Sequence, residues 1–274
     1  NIVLAPAFIF GWGPLPEMGV TGAAVGTTLG RTLGVVYQLY RLSRGTAHFR
    51  VRREHLRLEP KTMLAMLRLS GLGMFQVFVA TTSWLVLARI VSAFGSAAVA
   101  GYTIAMRIIL FALLPSWGLG NAAATLVGQS LGAKKPERGE KAVWTAARYN
   151  VIFLGSVGVL FFFAAKPIIG LFTQDVASAA YGVDSLRIVS CGFLFYAFGM
   201  VLEQAFNGAG DTMTPTFVNL GCFWVLELPM AWFLANPMGM GPRGAFVAVT
   251  VSYGLLAVVS LLLFRRGRWK LRTV

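Results

Sequence analysis

The feature that most limits what this chain can become is a series of apolar runs, several longer than the roughly 20 residues a helix needs to cross a bilayer. Eight segments are read, at about 1–13, 18–42, 69–93, 97–130, 141–164, 182–206, 214–236 and 243–265, the first of them cut short. Of the 274 residues, 57% are hydrophobic and 12% charged. Soluble domains carry about twice that charge, near 25%, and a soluble core cannot hide so much apolar surface. The solvent that suits these segments is lipid, where the backbone must satisfy its own hydrogen bonds and therefore coils into helices. The expected fold class is all-α: a polytopic membrane bundle.

A net charge of +14 would also suit nucleic acid, but its placement does not. The lysines and arginines gather in alternate gaps. The gaps 41–68, 131–148 and 207–214 and the tail from 265 hold 18 of them; the opposite side holds Lys166 and Arg243. The positive-inside rule makes the first group cytoplasmic. The longest and most basic gap, 43–68, fits either an amphipathic stretch on anionic headgroups or a solvated loop.

A repeat appears at an offset of 222 residues. Sliding Gly19–Gly45 onto Gly241–Gly267 matches ten of 27 positions, among them Gly19/Gly241, Gly22/Gly244, Ala23/Ala245, Arg44/Arg266 and Gly45/Gly267. Both copies run from the outer to the inner face. The repeat is therefore parallel, as in transporters built of two like halves, and it places about 160 further residues of a first copy upstream.

Several motifs describe backbone rather than chemistry. Gly22, Gly26, Gly30 and Gly34 recur every fourth residue and make a smooth stripe for a close helix neighbour. Pro115, with Gly118 and Gly120, interrupts the fourth segment, either lining a cavity or simply bending a structural helix. Two loop signatures are more specific. One is Gly128-Gln129-Ser130-Leu131-Gly132-Ala133; the other is Asn207-Gly208-Ala209-Gly210-Asp211-Thr212, followed by Pro215. Each reads as a helix end with a glycine-enabled turn, and Asp211 is placed to cap the next helix. Cys191 and Cys222 sit singly in apolar runs without metal-ligand spacing, as small hydrophobes do. His48 and His55 lie in the basic gap, so no Ser/His/Asp or Cys/His set is available within the membrane. No phosphate-loop pattern is present to support ATP hydrolysis. An enzyme is not expected.

With these loops, Phe8-Ile9-Phe10-Gly11, Gly19-Val20-Thr21-Gly22-Ala23-Ala24 and Gly95-Ser96-Ala97-Ala98-Val99-Ala100-Gly101-Tyr102 make the chain resemble the second half of the multidrug and toxic compound extrusion (MATE) family. The resemblance covers essentially all of it. It implies twelve helices in two six-helix lobes around a central cavity, in the cell (inner) membrane. It implies export of small organic, often cationic and aromatic, compounds against Na+ or H+, with no other cofactor. Residues 1–42 would then be the last helices of a first lobe, and the rest of that lobe would be its partner in the same chain. Residues 43–68 would be a basic cytoplasmic linker, 69–265 a six-helix lobe and 266–274 a basic cytoplasmic tail. Members that place coupling acids in this lobe often carry one near the position of Ala80, with Gln76 one turn earlier, and another near Tyr196. This chain has neither acid, so those roles are not carried over.

Ionisable residues at membrane depth are costly and are functional candidates by default. Glu203 lies near a cytoplasmic helix end, where pairing with a basic loop is the plain reading. Arg31, Arg107 and Glu227 lie nearer the middle, and an Arg–Glu pair between helices competes there with a role in transport. Glu227 is about 13 residues, or about 20 Å, into its segment, with Pro229 freeing a carbonyl beside it. Glu227 and Glu203 are therefore the coupling candidates. Gln76, Tyr196, Phe193 and Arg107 are the cavity candidates; the rings of the stretch Phe193, Phe195, Tyr196 and Phe198 either hold a flat cation or face neighbours and lipid. The expected function is antiport by alternating access, with membrane lipids as surroundings and no nucleic acid. The alternative is a lipid-linked oligosaccharide flippase of related fold, kept open by Arg31 and Arg107.

Overall fold

A computed structural model describes residues 1–13, 16–44 and 59–271, all of whose regular structure is helical. The chain divides into two compact units, Asn1–Leu64 and Ala65–Val274. Most of the expected linker, 45–58, lies outside the described residues.

In the first unit α1 (Leu4–Phe10) and α2 (Gly19–Arg44) form a hairpin. The glycine stripe faces α1. A Cβ on Gly22 would stand 2.2 Å from the Phe8 carbonyl oxygen, one on Gly26 2.7 Å from Ala5 Cα, and one on Gly30 3.1 Å from the Asn1 nitrogen. Only residues without a side chain let the two backbones approach so closely.

The second unit holds most of α3 (Pro60–Ser92), then α4 (Ser96–Gly132), α5 (Pro136–Gly170), α6 (Val176–Cys191) and α7 (Phe193–Gly208). After a turn at Gly210, α8 (Met213–Asn219), a π-helical stretch Leu220–Glu227 and α9 (Leu228–Ala235) make one rod. The unit closes with α10 (Pro242–Arg265) and a 3-10 turn, Arg268–Leu271. Among the described residues, five helices are long and apolar enough to cross a membrane: Ser70–Ser92, α4, α5, Met213–Ala235 and α10. The bent pair α6–α7 makes a sixth. The chain is a multi-pass membrane protein.

The segments read from sequence all acquire helix, with corrections. α1 and α2 do not join that set of spans: α1 has seven residues, and α2 is rich in glycine and threonine and ends on Arg41 and Arg44. α3 starts at Pro60, inside the expected linker, because proline suits a first helical turn. The sixth segment is not one helix but two, bent by 55° at Gly192. The Thr250 hydroxyl on α10 donates to the Ile188 carbonyl at 2.8 Å, taking the acceptor that the Gly192 N–H would use in a helix. Gly192 bonds instead to Val189 at 3.0 Å. The described part of the expected tail, up to Leu271, packs back on the bundle. Gly267 turns it back at φ 70, and Trp269 is fully buried, stacked on Phe264 at 4.9 Å. Lys270 pairs there with Glu140.

The 222-residue repeat has a structural counterpart. Gly19 and Gly241 start their helices at φ 53 and φ 60. Gly22 lies against the backbone of α1, and its match Gly244 lies against that of α9, where a Cβ would stand 2.6 Å from the Ala235 nitrogen. Each copy is thus a hairpin whose second helix approaches the first through the same glycine.

Candidate functional site

Two carboxylates are buried inside the second unit: Glu227 is 3% exposed and Glu203 8%. Glu227 ends the π-helical stretch, one residue before α9 begins. Pro229 has no N–H for the Val225 carbonyl, and the ladder widens so that the Leu228 N–H donates to the Phe223 carbonyl, five residues back. Such π segments often mark functional sites. The π turn is pinned to α3, where the Trp224 Nε1–H donates to the Val79 carbonyl at 3.0 Å. Ser83, one turn further along α3, donates its hydroxyl to Glu227 Oε1 at 3.2 Å, and the Phe223 carbonyl lies 3.5 Å from the same hydroxyl.

The other walls are also polar at their tips. From α10, the fully buried Ser252 Oγ faces Glu227 from outside hydrogen-bond geometry, and Tyr253 lies beside it. Tyr102 on α4 shares the same surroundings and stacks on Phe246 at 5.9 Å. The Tyr196 ring of α7 sits 4.5 Å from that of Tyr253. Tyr196 accepts a 3.4 Å hydrogen bond from Trp117 Nε1–H of α4. Five elements therefore bring one carboxylate, two serines and three tyrosines together in the interior of a membrane bundle.

No cation enters this cluster among the described residues. Among the described residues the ion pairs are Arg243–Asp184 and Lys270–Glu140, both near helix ends. Within the second unit, Arg107 and Glu227 do not form the Arg–Glu pair weighed from sequence. Arg107 is exposed: five residues beyond buried Tyr102, it points about 140° away around α4. Arg31 is exposed within the first unit.

Glu203 departs from its expected pairing with a basic loop. It is enclosed in α7 with Oε1 lacking any hydrogen-bond partner. Cys222 lies within electrostatic range of both carboxylates. Gln76 is half-buried on α3, seven residues and so nearly two full turns before Ser83, on the same face. Phe193 is fully buried, edge-on to Phe161 at 6.0 Å, and offers no surface to a cavity. Of the cluster's hydroxyl residues only Tyr196 was singled out from sequence; nothing in the spacing of Ser83, Ser252, Tyr102 and Tyr253 links them.

The two loop signatures meet. Gly208 lies so close to α4 that a Cβ would stand 2.2 Å from the Ala124 carbonyl oxygen; one on Gly128 would stand 3.1 Å from the Gly208 oxygen. Gln129 and Gly132 are exposed. Gly210 turns at φ 73, and buried Asp211 accepts from the Thr214 hydroxyl at 2.8 Å and its N–H at 3.4 Å, capping α8.

Comparison with known proteins agrees with this layout. The MatE family model matches residues 74–233. A probable multidrug resistance protein NorM of Thermotoga maritima is 28% identical over 274 residues, all of this chain and 59% of its own length. A protein of the same name from Caulobacter vibrioides is 32% identical over 63% of this chain and 37% of its own. The crystal structure of a MATE protein in complex with MaL6 superimposes with a TM-score of 0.89 at 22% identity, covering 97% of this chain and 60% of that one. The chain thus spans about three fifths of the Thermotoga relative.

Proposed function

This chain belongs to the MatE family, and on that premise we propose that it is part of a secondary exporter of small organic, cationic compounds. Efflux is driven by Na+ or H+ exchanged at Glu227. One observation carries the reading. Glu227 is buried near the middle of a membrane-spanning rod, is approached by Ser83 and Ser252, and has no cationic partner among the described residues. A carboxylate fixed in a salt bridge keeps one charge state; one held by hydroxyls exchanges its proton or cation as access alternates. Glu203, the second unpaired carboxylate, supplies a further station nearer the cytoplasmic end of α7. The tyrosine pair Tyr196–Tyr253 offers ring faces to a flat cation.

The relatives reported above carry multidrug-resistance or MATE names, and Arg107 stands apart from the cluster. Neither observation favours an oligosaccharide flippase. The test is dye efflux by the full-length protein in vesicles under separate sodium and proton gradients. Glu227→Gln is expected to abolish gradient-driven efflux while leaving folding intact. Unchanged rate and ion dependence in that variant would remove the coupling role.

A further inference from the structure

A shallow groove of about 180 Å³ lies on the exposed side of α5, where it crosses the α6–α7 bend. Its floor exists because side chains are missing. A Cβ on Gly155 would stand 2.6 Å from Leu194 Cδ2, and one on Gly158 3.0 Å from the Ser190 carbonyl oxygen. Phe162, Val159 and Cys191 form its rims. The exposed apolar rings and the membrane-spanning length of α5 place hydrocarbon against it.

One end of the groove is basic. The Arg187 Nε–H donates to the Phe162 carbonyl at 3.1 Å, and its guanidinium lies 5.9 Å from the centre of the Phe162 ring. Lys166 is exposed one turn beyond Phe162 on the same face of α5. One backbone carbonyl satisfies a single donor of a guanidinium that carries five. A cation left so at membrane depth calls for an anion. Counting back from Gly170, Lys166, Phe162 and Gly155 lie about 6, 12 and 22 Å along the axis. That order, cations outward and groove inward, is the order of headgroup and acyl chain in a leaflet.

We propose that this face binds an anionic phospholipid of the outer leaflet, its phosphate held by Arg187 and Lys166 and one acyl chain lying in the Gly155–Gly158 groove. Cys191 reports occupancy directly, because it lines the groove and is exposed whereas Cys222 is buried. The full-length protein is reconstituted in phosphatidylcholine nanodiscs, with or without phosphatidylglycerol. Alkylation of Cys191 by a neutral, membrane-permeant maleimide is then followed by peptide mapping. Phosphatidylglycerol is expected to slow alkylation about fivefold in the wild type. The slowing is expected to vanish in the double variant Arg187→Gln, Lys166→Gln and to persist in Arg187→Lys. Equal rates in the two lipids overturn the proposal. So does slowing that survives in the double variant, which would trace it to surface potential or to any acyl chain. Protection by inorganic phosphate alone would overturn it too, by showing an anion site without the lipid.

Discussion

Replacing Gly208 by alanine tests whether the two loop signatures are a packing device. The new Cβ would stand 2.2 Å from the Ala124 carbonyl oxygen, 2.6 Å from its Cα and 2.7 Å from its carbonyl carbon. All three are backbone atoms, so no rotamer change relieves the clash. Reaching ordinary van der Waals separation requires α4 and α7 to part by about 1 Å, and a gap of that size forfeits up to about half of each lost dispersion well. Overpacking of this kind costs about 1–3 kcal/mol. At roughly 2–4 °C per kcal/mol for a unit of this size, the apparent melting temperature of the full-length protein in detergent is expected to fall by about 2–12 °C. Two neighbours calibrate the result. Gly128→Ala meets only the Gly208 oxygen, at 3.1 Å, and is expected to shift melting by about 2 °C or less. Gly132 has no atom within 4 Å of a built Cβ, so Gly132→Ala is expected to melt with the wild type or slightly above it. If Gly208→Ala melts within about 1 °C of Gly132→Ala, the close crossing of α4 and α7 is refuted.

Three further outcomes are expected. A cysteine at Gly45 is expected to resist membrane-impermeant maleimide added outside intact cells; rapid labelling would invert the topology read from the basic gaps. Thr250→Val removes the hydroxyl that holds the Ile188 carbonyl. Spin labels at residues 180 and 204 are expected to move apart by up to about 4 Å as the α6–α7 bend relaxes, whereas Thr250→Ser leaves the distance unchanged; equal distances in both variants would detach the bend from Thr250. Asp175 caps α6 by accepting from the Ser178 N–H at 2.9 Å, and its bonds from Ser178 hold the carboxyl below its ordinary 3.8. A depressed carboxylate stabilises the folded form above its ordinary value and loses that contribution as pH falls through the lower folded value. Exchange protection of the Ser178 amide, corrected for intrinsic rate, is expected to hold at neutral pH and to fall only below pH 3.8; protection independent of pH would exclude the cap.

What the chain's own residues settled is what hydropathy and local chemistry can carry. The apolar runs lead to helices, because lipid leaves the backbone no other partner. The glycines at the head of each repeat copy lead to two like hairpins: Gly19 and Gly241 turn at positive φ, and Gly22 and Gly244 admit a neighbouring backbone. Asp211 before a helix start leads to a cap. Tertiary structure decided what depends on partners distant in sequence. Gly192 alone weakens a helix without breaking it, and the hydroxyl that takes the Ile188 carbonyl is supplied by Thr250, 62 residues later. The sequence could place Glu227 at mid-membrane and offer it either an arginine or a switching role. Packing supplies the neighbour: Ser83 arrives from α3, 144 residues before its acceptor, and Arg107 is exposed on α4. Periodicity fixes which residues share a helix face, but the facing neighbour, and with it the charge a buried carboxylate meets, exists only once the helices are packed.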